Sequence, residues 1–133
     1  MQVQPYLFFE GRCDEAIAFY KETLGAEVGM LMRWKDSPDK SMGTPENENR
    51  VMHASLKIGE SRVMVSDGRG TGTPDFKGFA LSINVKDEAD HDKKFAALSA
   101  GGHVVMPPGK TFFSPRFAMA HDKFGVLWML IVE

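Results

Sequence analysis

Residues 14–25 read DEAIAFYKETLG, and residues 87–102 read DEADHDKKFAALSAGG. The two stretches open on the same three residues. Each follows a short apolar run, PYLFF at 5–9 and FALSINV at 79–85. In the first, Cys13, Ala16, Ile17, Tyr20 and Leu24 fall at i, i+3, i+4, i+7 and i+11, the spacing of one helical face. Asp14 and Glu15 sit in its first turn, where carboxylates favour the helix dipole. Gly25 is a stop, because glycine accepts the left-handed conformation beyond a helix end. In the second, His91, Phe95 and Leu98 lie at helical spacing before Gly101 and Gly102. GAEV follows one helix and GGHV the other, so the chain reads as a structural repeat.

The strands between the helices decide the architecture. Residues 25–34, 50–58, 61–67 and 76–85 read as four extended segments, with Met52, Ala54, Leu56 and Ile58 alternating against Val51, His53, Ser55 and Lys57. A ferredoxin-like domain would place two strands there. Four strands, followed by extended segments in 103–113, 116–124 and 126–133, fit two βαβββ modules. Pro107 and Pro108 suit an edge or a bend. The expected class is α+β: one domain over 1–133, with a first module at 1–67, a linker at 68–75 and a second module at 76–133. The linker, within SDGRGTGTPD (66–75), carries glycines at 68, 70 and 72. It leads through Pro74 into a strand, so no helix N-terminus follows to receive a phosphate. It reads as a joint between modules.

Composition narrows the function classes. The 133 residues carry 16 basic and 18 acidic side chains, a formal charge of −2, which argues against a dominant nucleic-acid surface. No apolar run approaches a membrane span, and MQVQPYLFFEG lacks a basic leader. Cys13, the single cysteine, rules out an internal disulfide. A cytoplasmic protein that binds neither nucleic acid nor membrane is the expectation. Cys13 itself reads as a small buried residue on the apolar face of its helix. No Gly-x-Ser-x-Gly elbow or Walker motif occurs. The glycine stretch also lacks the strand–turn–helix setting of a methyl-donor site.

The segments PYLFFEGRCDEAIAFY (5–20), VMHASLKIGESRVMVSD (51–67), GGHVVMPPGKTFF (101–113) and DKFGVLWML (122–130) carry a family likeness that spans the chain. The sequence resembles the vicinal oxygen chelate superfamily of glyoxalase I, bleomycin-resistance proteins and extradiol dioxygenases. Within it, the chain looks like the PhnB-like branch, sometimes labelled "3-demethylubiquinone-9 3-methyltransferase" domains. The resemblance implies paired βαβββ modules, each curling round a concave face, and usually a homodimer. It also implies four metal-ligand positions facing the cavity, which fall here at Pro5, Val65, Gly78 and Met129. None of these side chains offers imidazole, carboxylate or thiolate to a divalent metal. The expectation is therefore no metal and no cofactor.

With those four positions set toward the cavity, strand alternation adds others to the same face. Leu7 and Phe9 join Pro5, and Val63 and Asp67 join Val65. Ala80, Ser82 and Asn84 join Gly78, while Leu127 and Ile131 join Met129. The third strand offers His53 and Ser55, and aligning Val65 with Met129 makes Phe117 and Met119 their counterparts in the second module. Phe8, Phe79, Leu81, Ile83, Trp128 and Leu130 then take the helix-covered side. The expected ligand set is Leu7, His53, Ser55, Val63, Val65, Asp67, Phe117, Met119 and Met129. His53 and Asp67 are the catalytic candidates, with His53 as a base, a ligand donor or the partner of Asp67. His121 and Asp122 read as turn residues, and His91 and His103 as structural or exposed. The loop 36–49 is offered as a lid or a dimer contact.

These residues point to metal-independent binding, or conversion, of a small hydrophobic or aromatic molecule, and the resemblance implies that the protein acts as a homodimer. Two alternatives stand beside that reading. One is a metal-dependent lyase or dioxygenase with ligands at unusual positions. The other is a non-catalytic module whose cavity its own side chains fill.

Overall fold

The computed structural model describes residues 1–39, 43–68 and 72–133. The chain divides into two compact units, Met1–Pro74 and Asp75–Glu133. Arg69, Gly70 and Thr71 of the expected linker lie outside the described residues.

The first unit runs β1 (Tyr6–Phe8), α1 (Cys13–Leu24), β2 (Glu27–Arg33), β3 (Val51–Ile58) and β4 (Ser61–Ser66). Its four strands form a sheet in the order β1-β4-β3-β2. The β1–β4 pair is parallel, and the other neighbours are antiparallel. The second unit repeats the plan with β5 (Leu81–Val85), α2 (Glu88–Ser99), β6 (His103–Gly109), β7 (Phe117–His121) and β8 (Leu127–Val132). Its order is β5-β8-β7-β6, again with the helix-flanking strand parallel to the last. Both expected βαβββ modules are present, and the class is α+β. Pro107 and Pro108 lie on β6, an edge strand, where a missing N–H costs least. Strand β5 begins later than the expected 76, at Leu81. Gly78 takes φ +87 ahead of it, and Phe79 is exposed rather than packed beneath the helix.

The two helices start by different means. Asp87 caps its own helix, its side chain accepting from the Asp90 N–H at 2.7 Å. In α1 the N-cap is Arg12, whose side chain provides no cap, and Asp14 already lies inside the helix. The two DEA triplets thus locate the helices but occupy different positions within them. The missing cap of α1 comes from a distance. Asp67, just beyond β4, is buried, and its Oδ1 accepts from Gly11 N–H at 2.9 Å and Cys13 N–H at 2.8 Å. Its Oδ2 accepts from Val51 N–H at 2.9 Å. One carboxylate therefore joins the end of β4, the start of β3 and the first turn of α1.

That contact also fixes which face of the first sheet is covered. Val65 and Val63 share the side of Asp67 by alternation, and Leu7 and Ala54 pair directly with Val65. Leu7, Ala54, Leu56, Val63 and Val65 are all buried, as are Cys13, Ala16, Ile17 and Tyr20 of α1. Each large side chain in this layer contributes about 1.5–3 kcal/mol. In the second unit, Ala118, Ala120, Trp128, Leu130 and Val132 form the buried row. Fully buried His91 fastens α2 to this sheet by donating from Nε2 to the Leu130 carbonyl at 3.0 Å. Trp128 is also tied, its Nε1–H donating to Asp122 at 2.9 Å.

Loop 36–49 is more anchored than its polar composition implies. Ser37 and Asn47 are buried, and Asn47 accepts from the Thr44 N–H at 2.6 Å. Arg33 grips Asp14 of α1 with two hydrogen bonds of 2.9 Å. Lys40, Ser41 and Met42 lie outside the described residues.

Two outcomes follow from these contacts. Asp67→Ala leaves three backbone donors without their acceptor and costs at least about 3 kcal/mol in urea unfolding, with Asp67→Asn intermediate. Burial, and after it the charges of Asp67 and Asp14, push the Cys13 thiol well above its ordinary range. The unfolded thiol ionises near pH 8.5 while the folded one stays protonated. Stability is therefore fully present below that pH and falls above it by up to about 1.4 kcal/mol per pH unit. Cys13→Ala should flatten that slope. Alkylation of wild-type Cys13 by iodoacetamide should follow unfolding rather than precede it.

Candidate functional site

Beneath the helix-covered layer, the first sheet turns its other face outward. Strand alternation places Tyr6 and Phe8 of β1, Met64 of β4, and His53 and Ser55 of β3 on it. The pairs Tyr6↔Met64 and Ser55↔Met64 bring these residues side by side. The Tyr6 and Phe8 rings stack with centroids 4.9 Å apart and planes at 23°. The phenol oxygen of Tyr6 lies 2.7 Å from His53 Nδ1, and the two rings are 5.5 Å apart. Phe8 is 48% exposed and Tyr6 38%. Burial outweighs the opposing influence of the Ser66 side chain and raises the Tyr6 phenol above its ordinary value. The face offers a flat aromatic surface, a methionine and a serine around one hydrogen-bonded imidazole.

The expected ligand set divides. His53 and Ser55 lie on this open face. Leu7, Val63, Val65 and Asp67 lie on the opposite, helix-covered side, where each is buried. Phe9, expected beside Leu7 at the cavity, is wholly buried, while Phe8, expected beneath the helix, is open. The inversion follows from setting Pro5 and Val65 toward the cavity. Leu7 pairs with Val65 and Ile83 with Leu130 in the two parallel ladders, so Val65 is the counterpart of buried Leu130. A slip of one residue moves a whole strand to its other face. Antiparallel pairing carries the same information, since Ala54 lies directly opposite Val65 and must share its side. His53 cannot then point with Val65. Asp67 is occupied by three backbone N–H groups on the far side of the sheet from His53, so the expected His53–Asp67 partnership does not form.

In the second sheet the expected faces hold. Phe117, Met119 and Met129 lie opposite the Trp128 and Leu130 row, with Met119 directly across from Met129. Phe117 is buried and meets the edge of the Phe113 ring at 5.1 Å. His103 and His121 face each other across β6 and β7, their rings 6.4 Å apart. His121 Nδ1 lies 3.2 Å from the Gly125 carbonyl.

The residues missed from sequence are Tyr6 and Phe8. Both stand in PYLFF, where five apolar residues in a row hide the alternation. Gly68 takes φ +58, and a Cβ there would stand 3.1 Å from Glu10 Oε1, so glycine permits the chain to close on the β1–α1 loop.

The superfamily's metal positions do not offer a donor set. Pro5 precedes β1, Val65 is in the core, Gly78 is in a turn and Met129 presents a thioether. Moving to the open face beside Val65 brings Met64 and Ser66 instead. Among the described residues, no three His, Cys, Asp or Glu side chains group closely enough to hold a metal ion.

Comparison with known proteins places the fold. The family model for the Glyoxalase/Bleomycin resistance protein/Dioxygenase superfamily matches residues 2–130. YjdN of Escherichia coli K12 is 33% identical, over 99% of this chain and 95% of YjdN. The crystal structure of PA1353 from Pseudomonas aeruginosa is similar with a TM-score of 0.89 and 36% identity, covering 100% of this chain and 98% of the other. The PhnB protein from Bacillus cereus gives a TM-score of 0.83 at 26% identity, with 100% of both chains covered. The paired βαβββ units and these matches lead to one statement: the chain belongs to the glyoxalase/bleomycin resistance/dioxygenase superfamily, as a PhnB- and YjdN-like member.

Proposed function

We propose that the protein binds a small aromatic or hydrophobic molecule on the open face of its first sheet, without a metal. The stacked and exposed Tyr6–Phe8 pair is the observation that carries this reading. Large aromatic rings left open on a sheet face favour a flat ligand that removes them from water. Ser55 and His53 supply polar points beside that surface, the arrangement that orients a mainly apolar ligand. Phe117, Met119 and Met129 form a second apolar surface on the open side of their own sheet, suited to the same class of molecule. Absence of a metal in the working site is part of the proposal and is supported by the open face itself, where Tyr6, Phe8, Ser55 and Met64 surround a single imidazole.

The active form in this reading is a homodimer. Edge strand β2 exposes Val28, Met30 and Leu31, and edge strand β6 exposes Val104, Val105 and Met106, at 36–48% each. An apolar edge strand left bare invites pairing with another chain, and a second copy covers it without external partners.

Two measurements test this. Indole titrated into labelled protein should shift the Tyr6, Phe8 and His53 resonances. Phe8→Ala should weaken that response about tenfold while leaving the melting temperature nearly unchanged. Shifts confined to other residues, or binding that depends on added zinc or nickel, would count against the site. Light scattering should give twice the chain mass, and Met30→Lys combined with Val105→Lys should return it to one chain. A wild-type monomer at micromolar concentration would remove the dimer.

A further inference from the structure

We propose that His53 presents Nε2–H to the open face, and that the molecule bound there carries an oxygen acceptor beside its aromatic body. The second half rests on the proposed aromatic ligand; the first does not. The warrant is the 2.7 Å contact between the Tyr6 hydroxyl and His53 Nδ1. Two arrangements satisfy that distance. Either the phenol donates to a bare Nδ1, or Nδ1–H donates to the phenol oxygen. A neutral imidazole nitrogen accepts better than a phenol oxygen, and a phenol O–H donates well, so the first is favoured. The raised pKa of Tyr6 acts in the same direction, since the phenol keeps the proton it must donate. Once Nδ1 accepts, the imidazole proton resides on Nε2.

That nitrogen has no protein partner among the described residues: the only polar contact of the His53 side chain is with Tyr6. The tautomer changes what the site recognises. A bare Nε2 would be a base or a ligand for cations, whereas Nε2–H is a donor. Its neighbours on the face are Met32, Ser55, Met64, Ser66 and the Tyr6–Phe8 surface, which bring no carboxylate to satisfy it. The ligand that completes this geometry lays a ring against Phe8 and Tyr6 and offers a carboxylate, phenolate or carbonyl oxygen to Nε2–H. Tyr6 is the positioning residue, because it holds the proton in place without meeting the ligand's oxygen.

The tautomer is read in the free protein by long-range nitrogen–proton correlation at a pH where the ring is neutral. The expected pattern shows His53 protonated at Nε2, and Tyr6→Phe should shift it toward a mixture of tautomers with the fold intact. A dominant Nδ1–H pattern in the wild type overturns the proposal outright. The ligand half uses benzoate against benzylamine, which share a ring and differ in having an acceptor or a donor. Benzoate should bind at least about tenfold more tightly, and His53→Phe, which keeps an aromatic ring, should abolish the preference. Equal affinity for the two probes overturns the acceptor and leaves the aromatic site standing. If neither probe, nor indole, perturbs Tyr6 and Phe8, the aromatic site itself falls, and the tautomer is still decided by the free-protein spectrum.

Discussion

A buried carboxylate that accepts three backbone N–H bonds organises the first unit. Asp67 meets Gly11 and Cys13 at the entry of α1 and Val51 at the start of β3, which lie 56, 54 and 16 positions away along the chain. Its charge is tolerable inside the protein only because every donor around it is aimed at it. The consequence reaches across the sheet. With Asp67 facing the helix, alternation sends Val65 and Val63 the same way, and pairing carries Leu7, Ala54 and Leu56 with them. What remains for the other face is Tyr6, Phe8, His53, Ser55 and Met64. The candidate site thus exists where it does because an aspartate on the opposite side caps a helix.

The second unit reaches the same plan by another route. Asp87 caps α2 locally, and sheet and helix are joined by the buried His91 and its bond to the Leu130 carbonyl. Asp122 there does for a turn what Asp67 does for a helix, accepting from Phe124 and Val126 N–H while also holding the Trp128 indole. Different residues solve the shared problem of seating one helix on four strands. Pattern matching between the halves therefore has limited reach. The DEA triplets mark helices that do not begin at the same residue of the motif.

Much of the architecture was legible because its signals are local. The apolar face of α1, the stop at Gly25, the β3–β4 hairpin at Gly59–Glu60 and the edge position of the Pro107–Pro108 strand all depend on near neighbours. The candidate site was half legible. His53 and Ser55 lie on the open face, and Phe117, Met119 and Met129 share one side of the second sheet. Leu7, Val63, Val65 and Asp67 lie on the covered side instead, Phe8 was assigned to that side but is open, and Tyr6 was overlooked. An unbroken run such as PYLFF has no polar residue to mark which positions face water, so its two faces look alike.

The sequence by itself determined the elements, their order and the doubling of the βαβββ unit, since periodicity and spacing are written in consecutive residues. Tertiary structure decided which side of the first sheet is covered. It turned Asp67 from a candidate catalytic group into a helix cap and brought Tyr6 to His53 across 47 positions of chain. The physical reason is the two-residue period of a strand. A face is chosen by a single register step, and that step is set by long-range contacts that no local pattern records.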